Sequence, residues 1–266
     1  MTASISTATA YQPGRCRLDA VPVAKSITII NAFALAGSAP ATDPHFANVA
    51  LLCGFEGSDG STSFGDESSF GRALAGVGNA QIDTSDFRFG SSSALFDGTG
   101  DRISTPHASD LNLDSSDFTI ELFAKFAGAG RMGLLGKYAA TTAGAAWMIE
   151  RNTSDALVAR YYNGSSEQLA ATRAIPNDSS WHHLCFEKSA GSYGVAVDGV
   201  FGAIQGGGGA PSVNAGTDAL FIGARMQGGT TVSQMNGWID EVRITIGVAR
   251  YGLTSFTPPT AAFPRS

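Results

Sequence analysis

The 266-residue chain carries a net charge of −6, with 15% charged residues, 43% apolar residues and 33 glycines. That balance excludes a nucleic-acid surface, which needs a basic field to hold phosphates. It leaves enough apolar residues for a sizeable core, while no stretch nears the roughly 20 apolar residues of a membrane span.

Residues 1–44 contain Pro13, Pro22, Pro40 and Pro44, and carry three cations against two anions. So irregular a segment cannot build its own core, and it reads as an extended arm that finds its apolar contacts on a partner. Within it, Lys25 followed by "SITIINAFALAGSAPA" imitates a secretion signal. Charged residues ahead of the lysine and Asn31 inside the apolar run argue for an uncleaved arm instead. Cys16, Cys53 and Cys185 are far apart and without metal-type spacing, so Cys53 and Cys185, in apolar runs, read as small core residues.

From about His45 the pattern becomes short strands separated by turns. "ANVALLCGFEG" (47–57) alternates Val49, Leu51, Cys53 and Phe55 against smaller residues. "FTIELFAKF" (118–126) puts Phe118, Ile120, Leu122, Ala124 and Phe126 on one face and Thr119, Glu121, Phe123 and Lys125 on the other. "AWMIERNTSDALVARYYNG" (146–164) predicts a hairpin around Asn152–Asp155. "SYGVAVDGVFGAI" (192–204) predicts another, with Asp198-Gly199 as a turn of positive φ. "IQGGGGAPSVNAG" (204–216) is a loop, and "WHHLCFEKS", "DALFIGAR" and "WIDEVRITI" complete the strands. With no amphipathic helix of three turns, the residues specify an all-β sandwich with an N-terminal arm.

Asp240 and Glu241 are neighbours in the last of these strands. Strand side chains alternate, so the two carboxylates are expected on opposite faces, where they cannot flank one scissile bond unless a bulge intervenes. Alternation places Trp238, Asp240, Val242, Ile244 and Ile246 on one face and Ile239, Glu241, Arg243 and Thr245 on the other. Glu241 and Arg243 would then pair on a solvated surface for about 0–1 kcal/mol. Asp240, among apolar neighbours, needs hydrogen-bond donors or a cation, because a buried unpaired carboxylate costs several kcal/mol. His182 and His183 are adjacent and share no ligand spacing with His107, so they read as structural. "FDGTGD" (96–101) lacks calcium-loop spacing and reads as a tight turn. Trp147, Tyr161 and Tyr162 read as core or rim before they read as a sugar-stacking platform.

Four segments, "SSSALFDGTGDRIS", "DFTIELFAKF", "SSWHHLCFEKSAGSYGVAVDG" and "NGWIDEVRITIGVARY…FTPPTAAFP", occur in an order and at spacings that resemble the laminin G-like, concanavalin A-type jelly-roll domains over about residues 45–266. The closing "GVARYGLTSFTPPTAAFP" is similar to the version carried by bacteriophage structural proteins. The resemblance implies two packed antiparallel sheets whose first and last strands are neighbours. It implies a structural Ca²⁺ near Asp240, with Glu56 or Asp59 of "GFEGSDG" as companions; calcium wants six to eight oxygens. The E-x-D-x-E pattern of related glycosidases is missing, since no two acidic residues stand two positions apart.

The expectation is therefore a non-enzymatic bacteriophage virion protein, a capsid decoration or tail component. Residues 1–44 would bind other virion proteins, and the outward sandwich would adhere weakly to host-surface glycans. A secreted or surface bacterial glycan-binding adhesin is the alternative, and a glycoside hydrolase a more remote one. The expected place is the virion, after synthesis in the host cytoplasm, or outside the cell for the adhesin. Symmetric display suits a homo-oligomer, and neither nucleic acid nor membrane is an expected partner.

Overall fold

The computed structural model describes residues 42–138, 146–206, 213–227 and 230–266. The strands in chain order begin with Val49–Cys53 (β1), Ser63–Phe64 (β2), Leu74–Val77 (β3), Gln81–Asp83 (β4) and Ser93–Asp97 (β5). Arg102–Thr105 (β6), Phe118–Phe126 (β7), Met132–Lys137 (β8), Trp147–Arg151 (β9) and Ala156–Tyr162 (β10) follow. Glu167–Ala174 (β11), His182–Ser189 (β12), Ser192–Val197 (β13), Val200–Phe201 (β14) and Gln205–Gly206 (β15) come next. Leu220–Ile222 (β16), Ala224–Gln227 (β17), Thr230–Gln234 (β18) and Asn236–Ile246 (β19) close the fold.

Among the described residues these strands form two large antiparallel sheets. One has the order β14-β13-β12-β7-β19-β5-β4, with β1 beside β19 and β15 beside β13; the other has the order β11-β10-β9-β8-β16-β6-β3-β2. β17 and β18 form a separate hairpin. The core lies between the sheets. The face of β7 expected to be apolar, from Phe118 to Phe126, is buried there with Leu184 and Phe186 of β12, and with Trp147, Ile149, Leu157 and Tyr161 of the second sheet. Each large side chain buried in this way contributes about 1.5–3 kcal/mol. Trp147 and Tyr161 are thus core residues, and Tyr162 is buried as well.

Both expected hairpins form, β9–β10 and β13–β14. Asn152 Oδ1 accepts the Ser154 and Ala156 amides in the first, and Asp198 and Gly199 take φ of 50° and 77° in the second. β1 pairs antiparallel with β19, so first and last strands are neighbours. Cys53 and Cys185 are buried, and burial drives both thiols well above their ordinary pKa.

Two of the places where alternation fails bear on the site. In β19 the pairing with β7 slips between Asp240 and Arg243, and Glu241 takes a φ of 52°. The extra residue of this bulge lets Ile239 and Val242 both face the core. Asp240 and Glu241 therefore lie on the same outer face rather than on opposite ones, and the Glu241–Arg243 surface pair does not form. In β1 a slip between Val49 and Leu51 leaves Leu51 and Cys53 in the core but turns Val49 and Leu52 to the outer cluster around Phe123 and Phe263.

The segment 247–266 covers part of the outer face of the first sheet. Beneath it, Glu121 Oε1 accepts Arg243 Nε and Nη2 at 3.0 and 2.8 Å, and Glu121 Oε2 accepts the Tyr251 hydroxyl at 2.6 Å. Residues 1–41 of the expected arm, with Cys16 and the signal-like stretch, lie outside the described residues. Asp43, placed in that arm by the sequence reading, is buried and takes hydrogen bonds from Arg243 and Arg250.

Candidate functional site

The part of the outer face that segment 247–266 leaves open carries a row of side chains running across four strands. Gln81 of β4 pairs with Leu95 of β5, Leu95 with Trp238 of β19, and Trp238 with Lys125 of β7. His182 of β12 pairs with Ala124, which sets the preceding Trp181 level with Lys125. All five side chains are partly exposed. Gly237, at φ 133°, permits this approach, because a Cβ there would sit 2.1 Å from the Lys125 carbonyl oxygen.

Both indoles hang from one loop, 83–91. Trp238 Nε1–H donates to Asp83 Oδ2 at 2.6 Å, and Trp181 Nε1–H donates to Asp86 Oδ1 at 2.8 Å. Lys125 donates to the other Asp86 oxygen and stands 5.6 Å from the Trp238 ring centre. Burial pushes the Asp83 carboxyl upward, but hydrogen bonds from Trp238 and Ser85 outweigh it and hold the group below its ordinary value. The result is two oriented aromatic faces flanking an ammonium group, with carboxylates and an amide at the edge. Such a surface can stack the apolar faces of sugar rings and exchange hydrogen bonds with their hydroxyls.

The three residues expected at a metal all hold that same loop. Asp240 Oδ2 accepts the Arg88 and Phe89 amides at 2.9 and 3.0 Å. Asp59 Oδ1 accepts the Thr84 amide at 3.2 Å, and Glu56 takes the Ser91 amide and hydroxyl. Gly90 must be bare for this, since its Cβ would fall 1.5 Å from Glu56 Oε1. Of the two kinds of partner open to Asp240, backbone donors are the ones present. The three carboxylates do not fit a calcium cage, because each points at different N–H groups, the positive ends of dipoles that repel a cation. Among the described residues, no three His, Cys, Asp or Glu gather as a metal would need.

Asp240 is nevertheless unusual. Its Oδ1 is buried without a partner, and burial, reinforced by the neighbouring Glu241, drives its pKa up to about 7. Glu241 is held by the Phe263 amide and by Arg265. Although the bulge brings both acids to one face, each is sealed under other residues, at 0% and 1% exposure. Retaining hydrolysis needs two carboxyls about 5 Å apart around an accessible bond, and this pair admits none.

His183 Nε2 meets Glu121 Oε2 at 3.1 Å, and His182 lies between Asp198 and Asp178 at 2.7 and 3.0 Å, both structural positions. His107 meets the buried Lys137 Nζ. In the "FDGTGD" turn, Asp97 and Asp101 accept amides of the turn itself. Trp181 and Trp238 escaped the sequence reading because they belong to distant segments, and only strand register sets them in one row. The available signal was partial: Trp181 alternates with the apolar Leu184 and Phe186 of the strand that follows it, whereas Trp238 shares its expected face with Val242 and Ile244 until the bulge is known.

A family model for the concanavalin A-like lectin/glucanases superfamily, Laminin_G_3, matches residues 97–247. A search of the curated proteins finds no match. Among solved structures, a botulinum neurotoxin type C structure superimposes with a TM-score of 0.56 at 13% identity, covering 75% of this chain and 48% of that one. The binding domain of Paraclostridial Mosquitocidal Protein 1 gives 0.55 at 14% identity, covering 80% and 50%. The binding domain of botulinum neurotoxin DC, in complex with rat synaptotagmin II, gives 0.54 at 12%, covering 80% and 49%. The chain spans about half the length of these structures, and at such identities they establish the fold alone.

Proposed function

The chain belongs to the concanavalin A-like lectin/glucanases superfamily, and from that premise we propose that it is a non-enzymatic glycan-binding module displayed on a bacteriophage particle. The observation that carries the binding role is the row Trp181, Lys125, Trp238, with both indoles fixed by hydrogen bonds to Asp86 and Asp83. Support comes also from the similar neurotoxin of type C, whose cell entry depends on two ganglioside molecules. The virion role is supported by the phage-like closing segment and by the coreless composition of residues 1–44. Partners on this reading are host-surface glycans and neighbouring virion proteins.

The test is a glycan array probed with the wild-type chain and with Trp238→Ala and Trp181→Ala. Stacking of a nucleobase on an aromatic side chain contributes about 1–3 kcal/mol, and on that scale each variant should lose about 5- to 150-fold in affinity for whichever glycans the wild type retains. Unchanged binding by both variants would remove the row as the site. Recovery of the chain with density-purified particles supports the virion role, whereas its presence in particle-free culture medium alone would favour the adhesin.

A further inference from the structure

Beside the aromatic row, at the rim of the sandwich, lies a polar cavity of about 330 Å³, at the small end of the ligand-pocket range of about 300–1,000 Å³. It is lined by Asp97, Arg131, Val232, Gln234 and Asn236, among others. Asp97 and Asn236 are cross-strand partners two residues along from Leu95 and Trp238, so the cavity continues the same face of β5 and β19.

Arg131 is the most loosely held cation of a buried ion-pair cluster. Glu150 is fully buried and has Arg160 Nε and Arg225 Nη1 at 3.5 Å, with Arg131 Nε further away at 3.8 Å. Arg160 also serves Glu167 at 3.2 Å. Three guanidinium groups thus face two carboxylates. Arg131 is the most exposed of the three, at 39% of its side chain, and among the described residues its guanidinium donates no hydrogen bond. The side-chain amides of Gln234 and Asn236 are likewise uncommitted. Across the cavity, Asp97 is held as a carboxylate by the Asn79 side chain and the Thr99 amide, which lower its pKa. Val232, 44% exposed, supplies an apolar wall.

Resting on the glycan-binding reading, we infer that this cavity takes a sugar unit bearing a carboxylate, at the end of a chain laid along the tryptophan row. The geometry matches that chemistry group by group. A guanidinium fork pairs a carboxylate in bidentate fashion, the amides of Gln234 and Asn236 donate to ring substituents, Asp97 accepts from hydroxyls, and Val232 packs on the ring face. A neutral sugar would leave Arg131 with Glu150 alone, 3.8 Å away and shared with two other guanidinium groups.

The experiment uses the full chain and matched probe pairs: polygalacturonate against its carboxyl-reduced form, and sialyllactose against lactose. The two pairs separate uronic from sialic sources of the same carboxylate. Wild type should favour the acidic member of at least one pair by about tenfold, the scale of one charge-assisted contact. That preference should shrink as salt rises, and Arg131→Gln should abolish it while leaving the neutral member unchanged. Gln234→Ala, which does not touch Glu150, should lower acidic binding, and melting curves of both variants confirm that they fold. A wild type with no acidic preference, or an R131Q variant that keeps it, overturns the inference. If neutral glycans still bind through Trp238 in that case, the glycan-binding reading survives; if no glycan binds, both fall.

Discussion

Asp240 shows how one side chain can look like a site and serve as a tether. Its two accepted amides fix residues 88 and 89, while its raised pKa records what burial costs a carboxylate. Because the folded value, about 7, lies above the ordinary 3.8, the group's contribution to stability is fully present below about pH 4 and is lost as pH rises towards 7. Asp240→Asn keeps an oxygen for the two amides and removes the charge. It should flatten the melting profile between pH 4 and 7 and match or exceed wild type at pH 8. Asp240→Ala, which leaves the Arg88 and Phe89 amides without that acceptor, should lose about 1–3 kcal/mol at pH 4 and less as pH rises. A chelator should leave the wild-type melting temperature unchanged. A chelator-induced drop in wild type that D240N lacks would restore a cation to this position.

At the scale of elements, the most legible strand was β7, whose regular alternation reappears as one core face and one outer face. β19 was legible in its existence and its neighbour but not in its facing. A bulge at Glu241 needs no glycine and leaves no mark in the sequence, so counting by twos went wrong beyond Asp240. The same limit hid the tryptophan row, which exists only once register is known; Glu56, Asp59 and Asp240 each accept hydrogen bonds from the loop that carries the row's partners.

Segment 247–266 is fixed on the sheet by Glu187, Glu241 and the Glu121 cluster. Burial pushes the Glu121 carboxyl upward, but Arg243 and His183 outweigh it and bring the pKa to about 2. That stabilisation is complete above about pH 4.5 and disappears as pH falls towards 2. Arg243→Met leaves the buried Glu121 with only the more distant of its two arginines, Arg250, 3.9 Å away, and should cost about 3–5 kcal/mol in urea unfolding at neutral pH. Glu121→Gln should blunt the acid limb of the melting profile. An R243M variant as stable as wild type would show that the cluster does not hold the segment.

For the whole molecule, the sandwich begins before the point at which composition changes. Asp43 is hydrogen-bonded to Arg243 and Arg250, and its amide donates to the Ser266 carbonyl at 2.7 Å. Deleting residues 1–41 should therefore leave a folded sandwich, and on the proposed virion reading one that still binds glycan but no longer joins particles. Deleting 1–44 should lower the melting temperature as well, by removing the partner of two buried arginines. Full incorporation of the shorter deletion into particles would refute an anchoring role for the arm. Fold class was readable from turn spacing and apolar pattern alone; this boundary was not, because a single aspartate carries it.

β19 joins these two ends of the problem. Arg243 on this strand grips residue 43, and Trp238, five positions earlier in the same strand, belongs to the glycan row. A particle pulling on its tether while a surface sugar resists would load one continuous backbone, zipped to β7 on either side of the bulge at Glu241, instead of stretching the surrounding loops. Mechanical strain would then travel in register with the sheet, where many ladder bonds share it.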